Sequence, residues 1–279
     1  MEAAVEHVIA TMWDRYDEPL SLAELADMAI LSRFYFSRVF RAITGTSPGR
    51  FLTAIRLYKA KNLLLETSLS VTEISYMVGY NSLGTFTSRF TKSVGISPAR
   101  YRAMAQVGIE PPAQSRPGGA PQRIGSVFGS LRLPPSDLRT RIYIGSFESP
   151  IPQGMPISCD ILEGDGPYLL DAVPDGEWYI QAAAVAMEGV DPRPWNRRPL
   201  FVGGSQPVRI SSGLGVRVDI DMRPTRSTDL PILVALPELD SCRLPDLTGF
   251  GERRVERDLV RDHDGFELTE LTAGRSGHR

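Results

Sequence analysis

The chain has 279 residues, 42% of them hydrophobic and 23% charged, a globular composition long enough for two ordinary domains and too apolar for wholesale disorder. Its 31 basic and 33 acidic residues leave a formal charge of -2, yet residues 21–102 hold 11 Lys and Arg against 4 Asp and Glu, while residues 106–279 hold 19 against 24. That asymmetry points to a polyanion-binding segment joined to something else. Only three histidines occur, and the two cysteines, Cys159 and Cys242, lie far apart, so no catalytic residues, metal site or cofactor are expected. No apolar run approaches bilayer length, and acids sit where an export signal needs bases. A cytoplasmic protein without a membrane partner is the expectation.

Val5, Val8, Ile9, Met12 and Trp13 fall at helical spacing and predict a first amphipathic helix, ended by Asp17-Glu18-Pro19. From Ser21 the sequence then repeats with a period of about 50: residues 21–51 match residues 70–101, with one extra residue in the second copy's turn. Each copy opens on a capping box, Ser21-x-x-Glu24 or Ser70-x-x-Glu73, in which hydroxyl and carboxylate satisfy free amides at a helix start. A small residue, Ala26 or Ser75, lets the next helix cross closely. That next helix, capped by Ser32 or Ser82, buries Phe36, Phe40 and Ile43, or Phe86, Phe90 and Val94, on one face. Gly45 or Gly95 stops it, and Ser47-Pro48 or Ser97-Pro98 begins another helix. Between the copies, residues 48–66 carry Phe51, Leu52, Ile55, Leu57, Ala60, Leu63 and Leu64 in helical rhythm, a rigid spacer between the units. About seven helices result. Two helix pairs with net positive charge fit a duplicated helix-turn-helix, each second helix entering a DNA major groove; a bundle with two similar hairpins is the other reading of the pattern.

Of 22 prolines, 3 lie before residue 106 and 19 after it. An all-α first part and an all-β second part are therefore expected, with a Pro/Gly-rich linker at 106–124, a sandwich at 125–245 and a charged tail at 246–279. Candidate strands are 126–133, 141–147, 157–162, 168–173, 177–186, 207–210, 216–222 and 232–236, about eight in all, which suggests an antiparallel β-sandwich. Glycine clusters at 164–166 and 203–205 lack the strand-to-helix frame of a phosphate loop, and Asp219 and Asp221 alternate with Arg217 as a solvated face would. An enzyme is not expected.

The ordered signature A-K-N-L-L-L-E-T at 60–67, V-T-E-I-S-Y-M-V-G-Y-N-S-L-G-T-F-T-S-R-F-T-K at 71–92 and G-I-S-P-A-R-Y-R at 95–102 resembles the DNA-binding domain of AraC/XylS-type transcription regulators. The resemblance spans about residues 21–102. It implies recognition helices at about 32–43 and 82–94 whose outward residues face base edges: Arg33, Phe34, Ser37 and Arg38 in the first, Leu83, Gly84, Thr87 and Ser88 in the second. Arg38 suits a bidentate contact to guanine, whereas among the outward residues of the second helix Leu83 and Gly84 offer no such donor, and that helix is expected to work more by backbone and shape. Arg56, Lys59, Arg89, Lys92, Arg100 and Arg102 are candidates for phosphate contact, the other reading of each being a solvated helix face. It further implies promoter DNA and RNA polymerase as partners, and activation rather than repression.

The segment Y-L-L-D-A-V-P-D-G-E-W-Y-I-Q-A at 168–182 is similar to the strand-turn-strand of carboxypeptidase-regulatory-like and transthyretin-like sandwiches, with Pro174-Asp175-Gly176 as the turn. Many AraC-type regulators carry their sensory domain before the DNA-binding domain; here the order is reversed. A small-molecule or protein ligand is the expected input of this sandwich, and Arg193, Trp195, Arg197 and Arg198 are its candidate contacts, a stacking ring beside anion-holding guanidiniums. In the plainer reading Trp195 covers a sheet edge. The alternative for the whole sandwich is a constitutive interaction or dimerisation module without an effector.

Overall fold

The computed structural model describes residues 1–107, 124–187, 199–211 and 213–234. Seven helices come first: α1 (Glu2–Asp14), α2 (Leu22–Met28), α3 (Arg33–Thr44), α4 (Pro48–Glu66), α5 (Val71–Met77), α6 (Leu83–Val94) and α7 (Pro98–Val107). Strands follow: β1 (Ile124–Arg132), β2 (Thr140–Phe147), β3 (Cys159–Glu163), β4 (Gly166–Pro174), β5 (Gly176–Ala186), β6 (Pro199–Gly204), β7 (Val208–Ile210), β8 (Gly215–Arg217), β9 (Ile220–Asp221) and β10 (Arg223–Pro224). The α-then-β, multi-domain class is the one that the proline distribution indicates.

The helical part has two cores built on one plan. In the first, Leu25 and Ala26 of α2, Phe36 and Phe40 of α3 and Phe51 and Ile55 of α4 pack with α1. In the second, Ile74 of α5, Phe86 and Phe90 of α6 and Tyr101 of α7 pack on Leu57 and Leu64 of α4. The aromatic chains match: Phe36–Phe40 and Phe40–Phe51 centroids are 5.5 Å apart, and Phe86–Phe90 and Phe90–Tyr101 are 5.6 and 5.8 Å apart. Since α4 serves both cores, nine of its 19 residues are buried, eight apolar ones and Lys61.

The β part is two sheets face to face. One has the order β4-β1-β8, with β9 also on β1; the other runs β10-β6-β5-β2-β3, with β7 on β5. The β2–β5 pair is long and antiparallel, from Thr140↔Ala186 to Phe147↔Tyr179. Trp178, Ile180, Ala182 and Ala184 alternate into the core with Val127, Ile142, Ile144 and Leu170. Trp178 Nε1 donates to the Pro174 carbonyl at 2.8 Å, which closes the β4–β5 turn around Asp175.

Three features depart from the sequence reading. The strand expected at 216–222 is divided into β8 and β9, and both lie parallel to β1. At the division the Val218 carbonyl accepts from Tyr168 Oη at 2.6 Å, and the Asp219 carboxylate accepts from the Ser130 amide at 2.9 Å. Strand β6 was not among the candidate strands. The described part of the expected strand 232–236 is not a strand: residues 229–234 form a strap that leaves the sheet and lies on the helices. Leu233 enters the second helical core, and Leu230 touches both. Lys61 Nζ of α4 donates to the Leu233 and Val234 carbonyls at 3.1 Å each, with Ile232 at 3.5 Å, so the acceptors a ladder would use are taken by an ammonium. Elsewhere the sandwich meets the helices where the Gly154 amide donates to the Ser93 carbonyl at 2.9 Å and Ser227 Oγ donates to Glu6 Oε1 at 3.0 Å.

Candidate nucleic-acid interface

Each helix-turn-helix unit starts from the same local chemistry. Ser21 Oγ accepts from the Glu24 amide at 3.2 Å while Glu24 Oε2 accepts from the Ser21 amide at 2.7 Å, and Ser70 and Glu73 reproduce both distances. These backbone bonds hold both carboxyls below the ordinary glutamate range. The turns also coincide. Leu31 and Ile30 donate to the carbonyls of Ala26 and Asp27 at 2.9 Å, as Tyr80 and Gly79 donate to those of Ser75 and Tyr76 at 3.0 and 2.9 Å. This doubly bonded helix end needs a left-handed residue, Ile30 at φ 58° and Gly79 at φ 80°. Ser32 and Ser82 then cap α3 and α6, each accepting at 3.4 Å from the amide three residues on.

This geometry turns the first two turns of α3 and α6 outward. On α3, Arg33 and Arg38 are exposed, Ser37 is half-buried, and Phe34 is 86% exposed. A phenyl ring so bare takes little part in packing among the described residues, and it suits apolar contact with a thymine methyl. On α6, Gly84 and Ser88 are exposed, Thr87 is half-buried and Leu83 is 38% exposed. Neither helix contains an acidic residue, so nothing on them repels phosphate.

The basic candidates divide. Lys92, Arg89 and Arg100 are exposed, and Lys59 lies half-buried over the rings of Trp13 and Tyr16, 5.7 and 5.0 Å from their centroids. Arg89 Nη1 lies 3.5 Å from Thr53 Oγ1. Arg56 and Arg102 need correction. Arg56 donates to the carbonyls of Tyr16 and Glu18 at 2.6 and 2.7 Å, and Arg102 to those of Leu64 and Leu69 at 3.0 and 2.6 Å. Arg56 thus clamps the loop after α1 to the middle of α4, and Arg102 clamps the last turn of α4 and the loop after it to α7, since carbonyls left over at a chain reversal need donors. Burial pushes the Arg56 pKa down, the mark of a group partly withdrawn from water. The sequence reading missed Arg50, exposed at the start of α4 as Arg100 is at the start of α7. The repeat itself carries that signal, because Ser47-Pro48-Gly49-Arg50 aligns with Ser97-Pro98-Ala99-Arg100.

Arg193, Trp195, Arg197 and Arg198 lie outside the described residues, as do most of the expected linker and the whole charged tail. Among the described residues no helix is long and apolar enough to cross a membrane, and no group of three or more His, Cys, Asp or Glu is arranged to hold a metal ion.

Two outward-facing helices of one repeated unit define a helix-turn-helix protein. In comparison with known proteins, residues 25–104 match a family profile described as a helix-turn-helix domain. The lactose operon transcription activator of Staphylococcus xylosus is 32% identical over 98 residues, which cover 35% of this chain and 35% of that protein. The transcriptional activator RhaS of Escherichia fergusonii is 34% identical over 101 residues, 36% of each chain. Among solved structures, the DNA-binding domain of AdpA in complex with a target DNA is 32% identical and covers 37% of this chain and 96% of that one, with a TM-score of 0.36. The N-terminal region of this chain is therefore a helix-turn-helix domain of the AraC/XylS type. The chain spans about a third of the length of the curated relatives it matches.

Proposed function

We propose that the chain is a sequence-specific, DNA-binding transcription regulator that activates its promoters, with α3 and α6 in successive major grooves and RNA polymerase as a partner. The observation that carries this reading is the duplication itself: two units with the same caps, turns and aromatic cores hold two acid-free helix faces outward. Helix α4 has 19 residues, a rod of about 28 Å, and a rod of that length suits recognition helices spaced by roughly one turn of DNA. Arg33, Phe34, Ser37 and Arg38 supply most of the direct readout, and Leu83, Gly84, Thr87 and Ser88 follow groove shape. Lys59, Arg89, Lys92, Arg100 and Arg50 meet phosphates. Residues 1–105 act as the DNA-binding domain, and 125–245 receive a ligand or partner signal. The names of the activators above support activation.

Selection of randomised duplex DNA by the intact protein tests this. A motif with two half-sites about one helical turn apart supports the reading, and binding with no sequence preference at any salt concentration refutes it. The second reading, a constitutive dimerisation sandwich, predicts self-association that no small molecule alters.

A further inference from the structure

One face of the six-stranded sheet belongs to the sandwich core. The opposite face carries Tyr143 and Phe147 of β2, Gln181 and Ala183 of β5 and Val202 of β6. Part of it is sealed, because Ile232 and Val234 of the strap pack with Tyr143, Phe147 and Val185. Beside this seal lies a cavity of about 650 Å³. Its walls are that sheet face with the adjoining Asp221 to Arg223, the loop from Pro150 to Pro156, the strap from Asp229 to Val234, and Thr44-Gly45, where α3 ends.

We propose that this cavity binds an uncharged, largely apolar small molecule, aromatic or alicyclic, and that occupancy is felt by the first recognition helix. The volume falls within the range of small-molecule sites, and most of the wall is apolar. The charged groups in it are already engaged. Arg223 grips both oxygens of Asp229 at 2.6 and 2.8 Å, and Asp221 faces Arg132 at 2.6 Å. Each lining carboxylate has its own guanidinium and the one lining guanidinium is held by Asp229, so an anion would be desolvated there without a free cation to meet it. Gln181 offers a neutral amide, which fixes orientation without asking for charge.

The route to DNA is short. Thr44 is the last residue of α3 and Gly45 its left-handed cap. The strap forms the far wall, and Leu230 of that strap rests on both helical cores while Lys61 holds its carbonyls. A ligand touching strap and helix end together favours one seating of the sandwich on α3, and DNA affinity then changes by whatever that seating contributes. This coupling rests on the regulator reading above; the binding site does not.

The test uses the full chain and a matched pair of fluorescent probes. N-phenyl-1-naphthylamine is uncharged, and 8-anilinonaphthalene-1-sulfonate is the same frame with a sulfonate. The neutral probe is expected to bind saturably at one site, at least tenfold more tightly than the sulfonate. Ala183→Phe, which fills the cavity from the sheet, and Ile151→Trp, which fills it from the loop, should each weaken it at least tenfold while far-ultraviolet circular dichroism stays unchanged. Should one variant fail to fold, the other decides. Unsaturable binding, or binding that a folded variant leaves intact, overturns the site, and equal or tighter binding of the sulfonate overturns the ligand class. Saturating neutral probe should shift the affinity for selected DNA at least threefold in the unmodified chain and not in Ile151→Trp. An unshifted affinity with probe bound overturns the coupling alone, whereas a chain that binds the probe and no DNA overturns the regulator reading and leaves the site standing.

Discussion

Ile30→Gly should stabilise the protein, and the matched change Gly79→Ala should destabilise it. The two positions are equivalent, each the left-handed residue at the end of the first helix of a unit, with φ 58° and 80°. A side chain in that region costs about 1–2 kcal/mol through the clash of Cβ with the following carbonyl, and a β-branched one belongs there least of all. Ile30 is 91% exposed, so its removal forfeits little burial. The extra freedom of glycine in the unfolded chain takes back about 0.5–1 kcal/mol. A net gain of about 0.5–1 kcal/mol remains, enough to raise the melting point by a few degrees. At Gly79 an added Cβ would sit 2.7 Å from the Asp17 carbonyl oxygen and 3.0 Å from Arg56 Cζ. The carbonyl cannot give way, because its backbone is held by the Arg56 clamp on either side, so the strain and the overlap add to a loss of more than about 2 kcal/mol. Urea unfolding followed by circular dichroism at the helical band measures both. A lower midpoint for Ile30→Gly, or an unchanged one for Gly79→Ala, would refute the equivalence of the two turns.

Arg38→Ala should lower affinity for the selected site by about 1–3 kcal/mol and relax preference at one base position, which selection with the variant would reveal. With Arg56 and Arg102 assigned to clamps, Lys59, Arg89, Lys92 and Arg100 remain of the original phosphate candidates. For about four phosphates the logarithm of affinity should fall with that of salt at a slope near -3.6, steeper by about one if Arg50 also takes part. Arg102→Ala should leave that slope unchanged and cost about 1.5–3 kcal/mol of stability, since the carbonyls of Leu64 and Leu69 lose a charged donor; a flatter slope at intact stability would return Arg102 to the DNA. Burial pushes the Lys61 ammonium down to about 7 from its ordinary 10.5. Between those values the unfolded chain holds a proton that the folded chain has lost, so the Lys61 contribution makes stability rise with pH from about 7 to about 10. Urea midpoints at pH 7 and 9.5 should rise more in the unmodified chain than in Lys61→Met, and parallel changes would show that Lys61 titrates normally.

What was legible in the sequence was local. The capping boxes, the Gly45 and Gly95 stops, the Ser-Pro starts and the alternation of Trp178 and Ile180 with Tyr179 and Gln181 all involve partners within a few residues, so spacing alone declares them. The duplication added register, because the same signals recur at one period. Tertiary structure decided the rest. Arg56 and Arg38 are both arginines on helices, and only the fold brings Tyr16 and Glu18 carbonyls, about 40 residues away, to one and leaves the other bare. Ile232 to Val234 read as a strand because their apolarity is that of one, but their carbonyls went to Lys61, some 170 residues earlier in the chain. The cavity is bounded by four segments that no local pattern connects. A sequence states which groups each residue can offer and which of its near neighbours can accept them; competition for those groups among distant partners is resolved only when the chain closes on itself.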